Sequence, residues 1–413
     1  MVKLLGMVKG TVQRREDIRV SLDVKLLKGM EIHLEKGIVK NGYIKIENTI
    51  ITDIGPIEEL KQVEHWEVID LPSSFKAIPG FIDVHIHGVN GADVMDATPA
   101  ALHTMAQTLP NEGTTCFLAT TITQSRIEIE KALANAGDFI LNKQHPGKAE
   151  VAGIHLEGPF VNKKRAGAQP SQHIVDPDIE LFKEWQSLSK GTIKLVTLAP
   201  ELAGGLELIT SLKEMGVIAS IGHSDATFEQ VQEAVQAGAI HVTHLFNGMR
   251  GLHHREPGIV GAAFLLDELK AEIIADGIHV RPEVIRLAYK QKGSQGVILI
   301  TDSMRAKCLK NGHYDLGGQK VTVKDGRAVL SDGTLAGSIL KMSSAIKNML
   351  HYTECSLPEV IEMVSVNPAK QLALYERKGS LSKGKDADIV ILDENLDVFM
   401  TFCRGALAFN KEE

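Results

Sequence analysis

The chain has 413 residues, of which 44% are hydrophobic and 23% are charged, with a formal net charge of −7 at pH 7. This composition is typical of a globular protein that is long enough for one large and one smaller domain. The acidic balance argues against a nucleic-acid partner, and no apolar run reaches the roughly 18 residues needed to span a bilayer. We therefore expect neither nucleic acid nor a membrane as a partner.

The first segment of the chain, residues 1–29, has no uninterrupted apolar stretch and so does not predict a signal peptide. The four cysteines are far apart and form no CxxC pair: Cys116, Cys308, Cys355 and Cys403. Cysteines without a disulfide framework are typical of a reducing compartment. A cytoplasmic location is the expectation, and residues 1–29 are treated as an extension to which no role is assigned.

Two β-rich segments lie towards the two ends of the chain. Residues 37–56 read "GIVKNGYIKIENTIITDIGP", and residues 379–409 read "GSLSKGKDADIVILDENLDVFMTFCRGALAF". Short β-rich runs separated by Asn-Gly and Gly-Pro turns are typical of an antiparallel meander. Because the termini of a domain often lie close together, we expect residues 30–77 and 376–413 to form one small β domain.

Between these segments, short apolar runs alternate with segments of helical spacing. Eight runs are found in order: "FIDVHIHG", "TTCFLATTI", "VAGIHLEGPF", "TIKLVTLAPE", "VIASIGHSD", "AIHVTHLFN", "AEIIADGIH" and "GVILITDSM". This alternation predicts a parallel sheet covered by helices, and the number of units predicts a (β/α)₈ barrel over residues 78–375. The structural alternative is a doubly wound open sheet, but no GxGxxG turn follows the first run.

Polar residues stand at the ends of most of these runs, where the active site of such a barrel lies. They are His85, His87, Glu157, His223, His244, Asp276, His279 and Asp302. A single histidine at a strand end is more often a satisfied structural residue than a ligand. Several imidazoles and carboxylates at corresponding positions instead predict a site for a divalent metal ion.

Asp302, at the end of the last run, is the candidate general base for a water molecule activated by such a metal. The alternative for Asp302 is a helix N-cap or a turn residue. His241 lies three residues before His244, so in a strand its side chain faces the opposite way and is not expected to be a ligand. The sequence contains no GxSxG, P-loop or HExxH motif, which argues against the chemistries that those motifs support.

In chain order, the motifs resemble those of the N-acetylglucosamine-6-phosphate deacetylases, a family of the amidohydrolase superfamily. The matching stretches are "PGFIDVHIHG", "GIHLEGPF", "RAGAQP", "IGHSDA", "THLFNGM", "REPG", "ADGIH", "TDSM" and "LAGS". The resemblance implies a distorted (β/α)₈ barrel with a small β-sandwich built from both chain ends. It also implies hydrolysis of the acetamide of N-acetylglucosamine 6-phosphate, with one or two ions of zinc or iron per subunit. A homodimer with the phosphate site near the subunit interface is a further implication.

The resemblance assigns roles to individual residues. Glu157, His223 and His244 match the metal ligands common to the family, Asp302 matches its catalytic acid/base at the metal, and His85 and His87 match a pair that holds a second metal. The positions that match substrate contacts are Ala168 through its backbone, Asn247, Gly248, Arg255, His279, Leu335, Ala336, Gly337 and Ser338. Arg255 suits a phosphate because guanidinium forms charge-assisted bonds to phosphate oxygens.

The chain departs from the family pattern at two places. Gln169 stands where relatives without the HxH pair have a histidine that polarises the acetamide carbonyl, and a second metal near His85 and His87 is expected to act instead. Residues 1–29 have no counterpart. Three alternatives stay open: a deacetylase for N-acetylgalactosamine 6-phosphate, another amidohydrolase such as a cyclic amidase or deaminase, and a catalytically inactive binding homologue. The absence of a lysine at the end of the third run argues against a cyclic amidase.

Overall fold

The computed structural model describes residues 24–61 and 66–413 of the chain. In chain order, strands β1 to β23 are Val24–Lys28, Glu31–Leu34, Gly37–Val39, Gly42–Glu47, Ile50–Pro56, Glu67–Asp70, Lys76–Pro79, Phe81–Ile86, Gly88–Val89, Ala92–Asp93, Thr114–Thr120, Glu150–Glu157, Ile193–Leu198, Ile218–Ile221, His241–Val242, Lys270–Ile274, Val297–Ile300, Gly312–Leu316, Gln319–Lys324, Arg327–Val329, Ile389–Leu392, Val398–Cys403 and Ala406–Asn410. Helices α1 to α10 are Pro99–Thr108, Arg126–Asn142, Ile179–Leu188, Gly205–Glu214, Phe228–Ala237, Gly258–Leu265, Pro282–Gly296, Met342–Thr353, Leu357–Ile361 and Asn367–Gln371. Among the described residues, no helix has the length and apolar character of a membrane span.

The central sheet has eight strands in the order β17-β16-β15-β14-β13-β12-β11-β8. Neighbouring strands are parallel throughout. The sheet closes where its first and last strands end, because Asp302 N donates to His85 O at 2.8 Å and His87 N donates to Ser303 O at 2.9 Å. Each of the eight apolar runs overlaps one of these strands, so the predicted (β/α)₈ fold is confirmed.

Strands β8 and β11 of the barrel are buried along their whole length, as strands of a parallel sheet covered by helices are. In β8 the polar residues Asp83 and His85 alternate with Ile82, Val84 and Ile86. Since side chains alternate across a strand, the polar pair shares one face, and the apolar residues share the other. Strand β8 therefore directs its polar face to the inside of the barrel and its apolar face to the surrounding helices.

A small β domain is built from both ends of the chain. Its six-stranded sheet has the order β23-β22-β21-β7-β2-β3, in which β21 from the C-terminal segment runs antiparallel to β7. Its four-stranded sheet has the order β5-β4-β1-β6. Leu27 and Ile44 of the smaller sheet pack with Ile389 and Phe402 of the larger one in a single apolar core. The predicted sandwich of both chain ends is confirmed.

Two details of this domain differ from the sequence-based description. The segment Val24–Lys28, assigned above to the extension, is strand β1 and pairs with β4 and β6. Residues 1–23 lie outside the described part of the chain. Within residues 37–56, β4 and β5 form an antiparallel pair, whereas β3 pairs with β2 in the other sheet. The segment is therefore divided between two sheets rather than forming one meander.

A three-stranded antiparallel sheet, β18-β19-β20, is inserted between β17 and α8. Its Leu316 and Val321 pack with Ile122 and Met304 in a small apolar cluster. Gln319 of β19 donates from Nε2 to the carbonyl of Ala168 at 2.6 Å. The insertion therefore covers the C-terminal ends of the barrel strands and holds one of the loops there.

Candidate metal centre and active site

The candidate ligands lie at the C-terminal ends of barrel strands. Three of them, His223, His244 and Asp302, follow their strands with φ values of 47°, 32° and 46°. These values lie in the left-handed region, which histidine and aspartate adopt more readily than most residues. The left-handed turns end the strands, and the three side chains face one another across the mouth of the barrel.

One half of the centre is formed by Glu157, His223 and His244. The Nε2 atoms of both histidines lie 3.2 Å from Glu157 Oε1, and the two Nε2 atoms lie 3.0 Å from each other. His223 Nδ1 lies 2.8 Å from the carbonyl oxygen of Arg165. Because a carbonyl only accepts, the ring proton of neutral His223 is on Nδ1 and the lone pair is on Nε2. His223 therefore presents an unprotonated nitrogen to Glu157 and His244, as a metal ligand does.

The other half of the centre is formed by His85, His87 and Asp302. His87 Nε2 lies 3.2 Å from Asp302 Oδ1 and 3.3 Å from Glu157 Oε2. His85 Nε2 lies 3.4 Å from Asp302 Oδ1 and 3.5 Å from Glu157 Oε1. Glu157 thus contacts the histidines of both halves, and it stands between them.

These residues fit a metal ion. In each half the candidate ligand atoms lie within 4.8 Å of one another, and all six residues are buried. His85 Nε2, which faces Glu157 and Asp302, is a buried atom without a hydrogen-bond partner. A buried polar nitrogen without a partner is costly unless a ligand satisfies it. Imidazole nitrogens with carboxylate oxygens form the donor set that zinc and similar divalent ions prefer.

The electrostatics of the cluster favour positive charge. Burial alone would lower the pKa of His87, but the hydrogen bonds that its ring donates to Asp302 and Glu157 raise it to about 10. Burial alone would raise the pKa of Glu157, but His85, His223 and His244 hold it well below the ordinary value. The two carboxylates therefore remain ionised in a buried position and stabilise a cation between the rings.

Gln169 takes part in the same cluster. Its Nε2 donates to Glu157 Oε2 at 2.8 Å, and its Oε1 accepts from the backbone N of Thr123 at 2.8 Å. The carboxamide therefore connects the loop after β11 to the carboxylate that stands between the two halves. Gln169 therefore orients Glu157 through this hydrogen bond.

His279 is held by Asp276 at the mouth of the barrel. His279 Nδ1 lies 2.7 Å from Asp276 Oδ2, and Asp276 Oδ1 accepts from the backbone N atoms of Ile278 and His279 at 2.8 Å. Burial alone would lower the pKa of His279, but Asp276 raises it above the ordinary value. Asp276 therefore fixes the ring and leaves its Nε2 to face the cavity.

A cavity of about 400 Å³ opens on the cluster, a size typical of small-molecule sites. It is lined by His87, Ile122, Glu157, Gly167, Ala168, Gln169, His223, His244, Asn247, Gly248, His279, Asp302, Leu316, Gly333, Thr334, Leu335 and Gly337. Gly248 has φ +57°, and a Cβ there would lie 2.8 Å from His223 Nδ1, so this position requires glycine. The cavity is bounded on one side by the candidate ligands and on the other by the inserted sheet.

Residues 77–408 match the amidohydrolase family. The chain belongs to this family. It is 49% identical over 389 residues to the N-acetylglucosamine-6-phosphate deacetylase of Bacillus subtilis (strain 168), an alignment that covers 94% of this chain and 98% of that protein. The resemblance that the motifs indicate is thereby confirmed.

Solved structures of amidohydrolases extend the comparison to the fold. The N-acetylglucosamine-6-phosphate deacetylase of Thermotoga maritima superposes with a TM-score of 0.84 at 37% identity, covering 94% of this chain and all (100%) of that one. A mutant of the Mycobacterium smegmatis enzyme, solved in complex with N-acetyl-D-glucosamine-6-phosphate, superposes with a TM-score of 0.87 at 28% identity, covering 94% and 100%. The barrel and the small β domain are both included in these alignments.

The predicted substrate residues are not all at the cavity. Ala168, Asn247, Gly248, His279, Leu335 and Gly337 line it. Ala336 is buried in the apolar cluster beneath the inserted sheet, and Ser338 donates from its backbone N to Asp302 O at 2.7 Å. Arg255 lies outside this lining on an exposed turn, where its Nη1 is 2.6 Å from His254 Nε2. Ala336 and Ser338 therefore support the loop that carries Asp302 rather than contact the cavity.

Glu272 and His155, to which the sequence motifs assign no role, are fully buried inside this amidohydrolase barrel. His155 lies within the quoted "GIHLEGPF", and Glu272 interrupts an apolar strand in "AEIIADGIH". A charged residue inside such a run was the available signal. His241, which the sequence excluded as a ligand, contacts Glu272 instead, with its Nε2 3.0 Å from Oε1.

Proposed function

We propose that this chain is a metal-dependent deacetylase that hydrolyses N-acetyl-D-glucosamine 6-phosphate to D-glucosamine 6-phosphate and acetate in amino-sugar catabolism and recycling. The observation that carries the proposal is the cluster of four imidazoles and two carboxylates at the mouth of the barrel, beside one cavity, in a chain closely similar to deacetylases of this substrate. The proposed catalytic domain is the barrel, residues 78–375, and the small β domain comprises residues 30–77 and 376–413.

Two divalent ions are assigned to the centre. Glu157, His223 and His244 would hold one ion, and His85, His87 and Asp302 would hold a second. Zinc and iron both suit this set of nitrogen and oxygen ligands. When bound, such an ion acidifies a water molecule and acts as a Lewis acid towards the acetyl carbonyl.

Asp302 is assigned the proton transfers. Burial alone would raise its pKa, but the His85 and His87 rings lower it below the ordinary value. The carboxylate is therefore ionised at neutral pH and able to accept the proton of the attacking water. It then returns the proton to the nitrogen of the substrate as the carbon–nitrogen bond breaks. Asp302 lines the cavity, where both transfers would take place.

The remaining cavity residues are assigned to binding and orientation. His279, with Nδ1 held by Asp276, has Nε2 available to donate to the acetyl oxygen as negative charge develops there. Asn247, Gly248, the backbone of Ala168, Leu335 and Gly337 are assigned to the sugar ring. The cavity volume of about 400 Å³ supports a ligand of sugar size.

Arg255 is assigned to the phosphate group in a homodimer. The side chain is exposed in the single chain and lies on the turn that follows the His244–Met249 segment. Leu252 and Leu265, the last residue of α6, are 57% and 67% exposed, and these apolar side chains at the surface support a subunit contact. In this arrangement the phosphate lies near the interface between two copies of the chain. The reduced cysteines support the cytoplasm as the place where the enzyme acts.

The decisive experiment measures acetate and free amine released by the purified, metal-loaded protein. N-acetylglucosamine 6-phosphate is compared with its C4 epimer, N-acetylgalactosamine 6-phosphate, and with N-acetylglucosamine. We expect the highest kcat/KM for the first compound and at least about a tenfold loss without the phosphate, since a lost charge-assisted contact is worth more than about 1.4 kcal/mol. No acetate from any of the three would contradict the proposal. A preference for the galactosamine epimer would change the assigned substrate and leave the assigned reaction unchanged.

A further inference from the structure

A layer of buried polar side chains lies inside the barrel beneath the metal centre. Its members are fully buried: His155, Thr197, Ser220, His241, Thr243 and Glu272. Glu272, on β16, supplies a carboxylate to this layer, and none of the proposed proton transfers or substrate contacts uses it. A buried ionised group is expensive to maintain, so its contacts indicate what it does.

Glu272 contacts both halves of the metal centre. Its Oε2 lies 2.9 Å from His85 Nδ1 and accepts from the backbone N of His244 at 3.0 Å. Its Oε1 lies 3.0 Å from His241 Nε2. One carboxylate therefore meets the ring of a candidate ligand in one half and the backbone of a candidate ligand in the other.

The contact with Glu272 decides which nitrogen of His85 carries the ring proton. An ionised carboxylate only accepts hydrogen bonds, so His85 Nδ1 must donate. The lone pair of neutral His85 is then on Nε2, the atom that faces Glu157 and Asp302 and has no hydrogen-bond partner. A carboxylate that orients the rear nitrogen of a metal-ligating imidazole is a recurrent arrangement in metal sites.

The position of Glu272 is itself fixed from the other side of the barrel. Gln371 Nε2, on α10, lies 3.3 Å from His241 Nδ1 and donates to Ile240 O at 3.2 Å. An amide N–H only donates, so His241 accepts at Nδ1 and donates from Nε2 to Glu272. Both oxygens of Glu272 are therefore occupied, and the chain of contacts runs from Gln371 through His241 and Glu272 to His85.

We propose that Glu272 is the positioning residue that makes the His85–His87 half of the centre able to hold its own metal ion. By accepting the hydrogen bond that His85 Nδ1 donates, it keeps the ring proton on Nδ1 and leaves Nε2 unprotonated and aimed at the ion. Through the backbone of His244, it also fixes the distance between the two halves. This inference rests on the proposed metal-dependent function, and it concerns metal binding alone.

The substitution Glu272→Gln tests this role because the amide has one accepting and one donating end. It cannot accept from His85 and His241 together, so one ring must change its tautomer. With its oxygen towards His85 Nδ1 and the backbone N of His244, the amide accepts from both but no longer supplies the negative charge that strengthens the His85 hydrogen bond. With its nitrogen there, the proton of His85 moves to Nε2, and that atom no longer offers a lone pair to an ion. Loss of such an orienting carboxylate typically lowers metal affinity by about 10- to 100-fold.

The experiment dialyses the full chain against buffered cobalt(II) or zinc(II) and measures ions per chain and the affinity of each. We expect two ions in the wild type, and in Glu272→Gln a loss of about 10- to 100-fold for the weaker ion with less than about threefold for the other. Thr197→Val disturbs the same buried layer without touching Glu272 and should leave both affinities within about threefold of wild type. If Glu272→Gln does not fold, Glu272→Asp keeps the charge and should give an intermediate loss.

His85→Ala separates positioning from general support of the fold. In the His85→Ala background, Glu272→Gln should change the affinity of the remaining ion by less than about threefold, because two substitutions that act through one ring are not additive. A single ion in the saturated wild type, or unchanged affinities in Glu272→Gln, would overturn the inference. Since substrate is absent, its failure can be told apart from a failure of the proposed deacetylase activity.

Discussion

The mouth and the base of the barrel both bury charged side chains, but they do so in opposite ways. At the base, Lys378 has a side chain only 1% exposed and contacts Glu150 and Asp386, each at 2.9 Å, and also Asp388. Arg377 adds contacts with Glu150 and Asp386. Cations and carboxylates face one another there, and they join β12 of the barrel to the segment before β21 of the small β domain.

At the mouth, ring nitrogens face one another and two carboxylates without a lysine or arginine between them. His223 and His244 bring their Nε2 atoms to 3.0 Å, and buried nitrogens such as His85 Nε2 have no partner. A buried cluster in which the carboxylates have lysine and arginine partners stabilises the fold. A cluster of carboxylates and ring nitrogens without such partners instead attracts a cation from solution. The difference distinguishes a structural ion cluster from a candidate metal centre.

The largest effect is expected from Asp302→Asn at the mouth. An amide cannot accept the proton of water, so kcat should fall by about 10²- to 10⁴-fold while the Glu157 half still holds its ion. Acetate release and metal content per chain are the measurements. Asp70→Asn, in an exposed pair with Lys28, serves as the matched control and should keep wild-type turnover. Near-normal turnover in Asp302→Asn would remove this residue from the mechanism.

At the base, Lys378→Met should act on stability instead. Removing the lysine leaves the buried carboxylates of Glu150 and Asp388 and the half-buried one of Asp386 with too little positive charge. Loss of one partner of a buried pair costs about 3–5 kcal/mol in the free energy of unfolding. Urea unfolding measures this cost, and kcat measured below the transition should stay within about twofold. Lys347→Met breaks the exposed pair with Asp397 and should cost less than about 1 kcal/mol. Equal costs for the two variants would contradict the distinction between the clusters.

Removing the metal from the mouth should lower the free energy of unfolding, because an ion that binds the folded chain stabilises it by mass action. At a free metal concentration of about 100 Kd, bound metal adds about 2.7 kcal/mol to the free energy of unfolding, and a chelator removes that contribution. The thermal midpoint with and without chelator is the measurement. The ion cluster around Lys378 does not depend on the metal. Lys378→Met should therefore show the same chelator-induced shift of the thermal midpoint as the wild type. An unchanged midpoint in the wild type would argue against a bound metal.

The smallest effect is expected in the pH dependence of the stability that the ion cluster at the base of the barrel provides. Burial alone would raise the pKa of Glu150, but Arg377 and Lys378 lower it to about 2. Because this folded-state pKa lies below that of the unfolded chain, the stabilisation is complete above about pH 4.5 and is lost as the pH falls towards 2. The difference in unfolding midpoint between wild type and Glu150→Gln should therefore narrow between pH 6 and pH 3. Glu180→Gln, at an exposed position, should show no such trend.

The sequence predicted the barrel well because its strands are buried on both faces and therefore appear as apolar runs. The same logic located His85, His87, Glu157 and Asp302, since parallel strands end at one rim. It did not predict the inserted sheet β18–β20, whose strands show mixed burial and no long apolar run. Neither could it predict that Gln169 would contact Thr123, because side-chain partners 46 positions apart follow from loop conformation. Lys378 illustrates the same limit, since a lysine in sequence usually indicates an exposed position.

The closure between β8 and β17 has a consequence for the synthesis of the protein. Asp83 and Thr301, whose side chains are hydrogen-bonded beside this seam, are 218 positions apart. Contacts between such distant positions form slowly, because the intervening chain must first be ordered. A chain emerging from the ribosome carries His85 and His87 long before Asp302 has been added. Catalysis therefore requires β17, the strand that closes the barrel. A nascent or truncated chain without β17 should be inert towards the substrate.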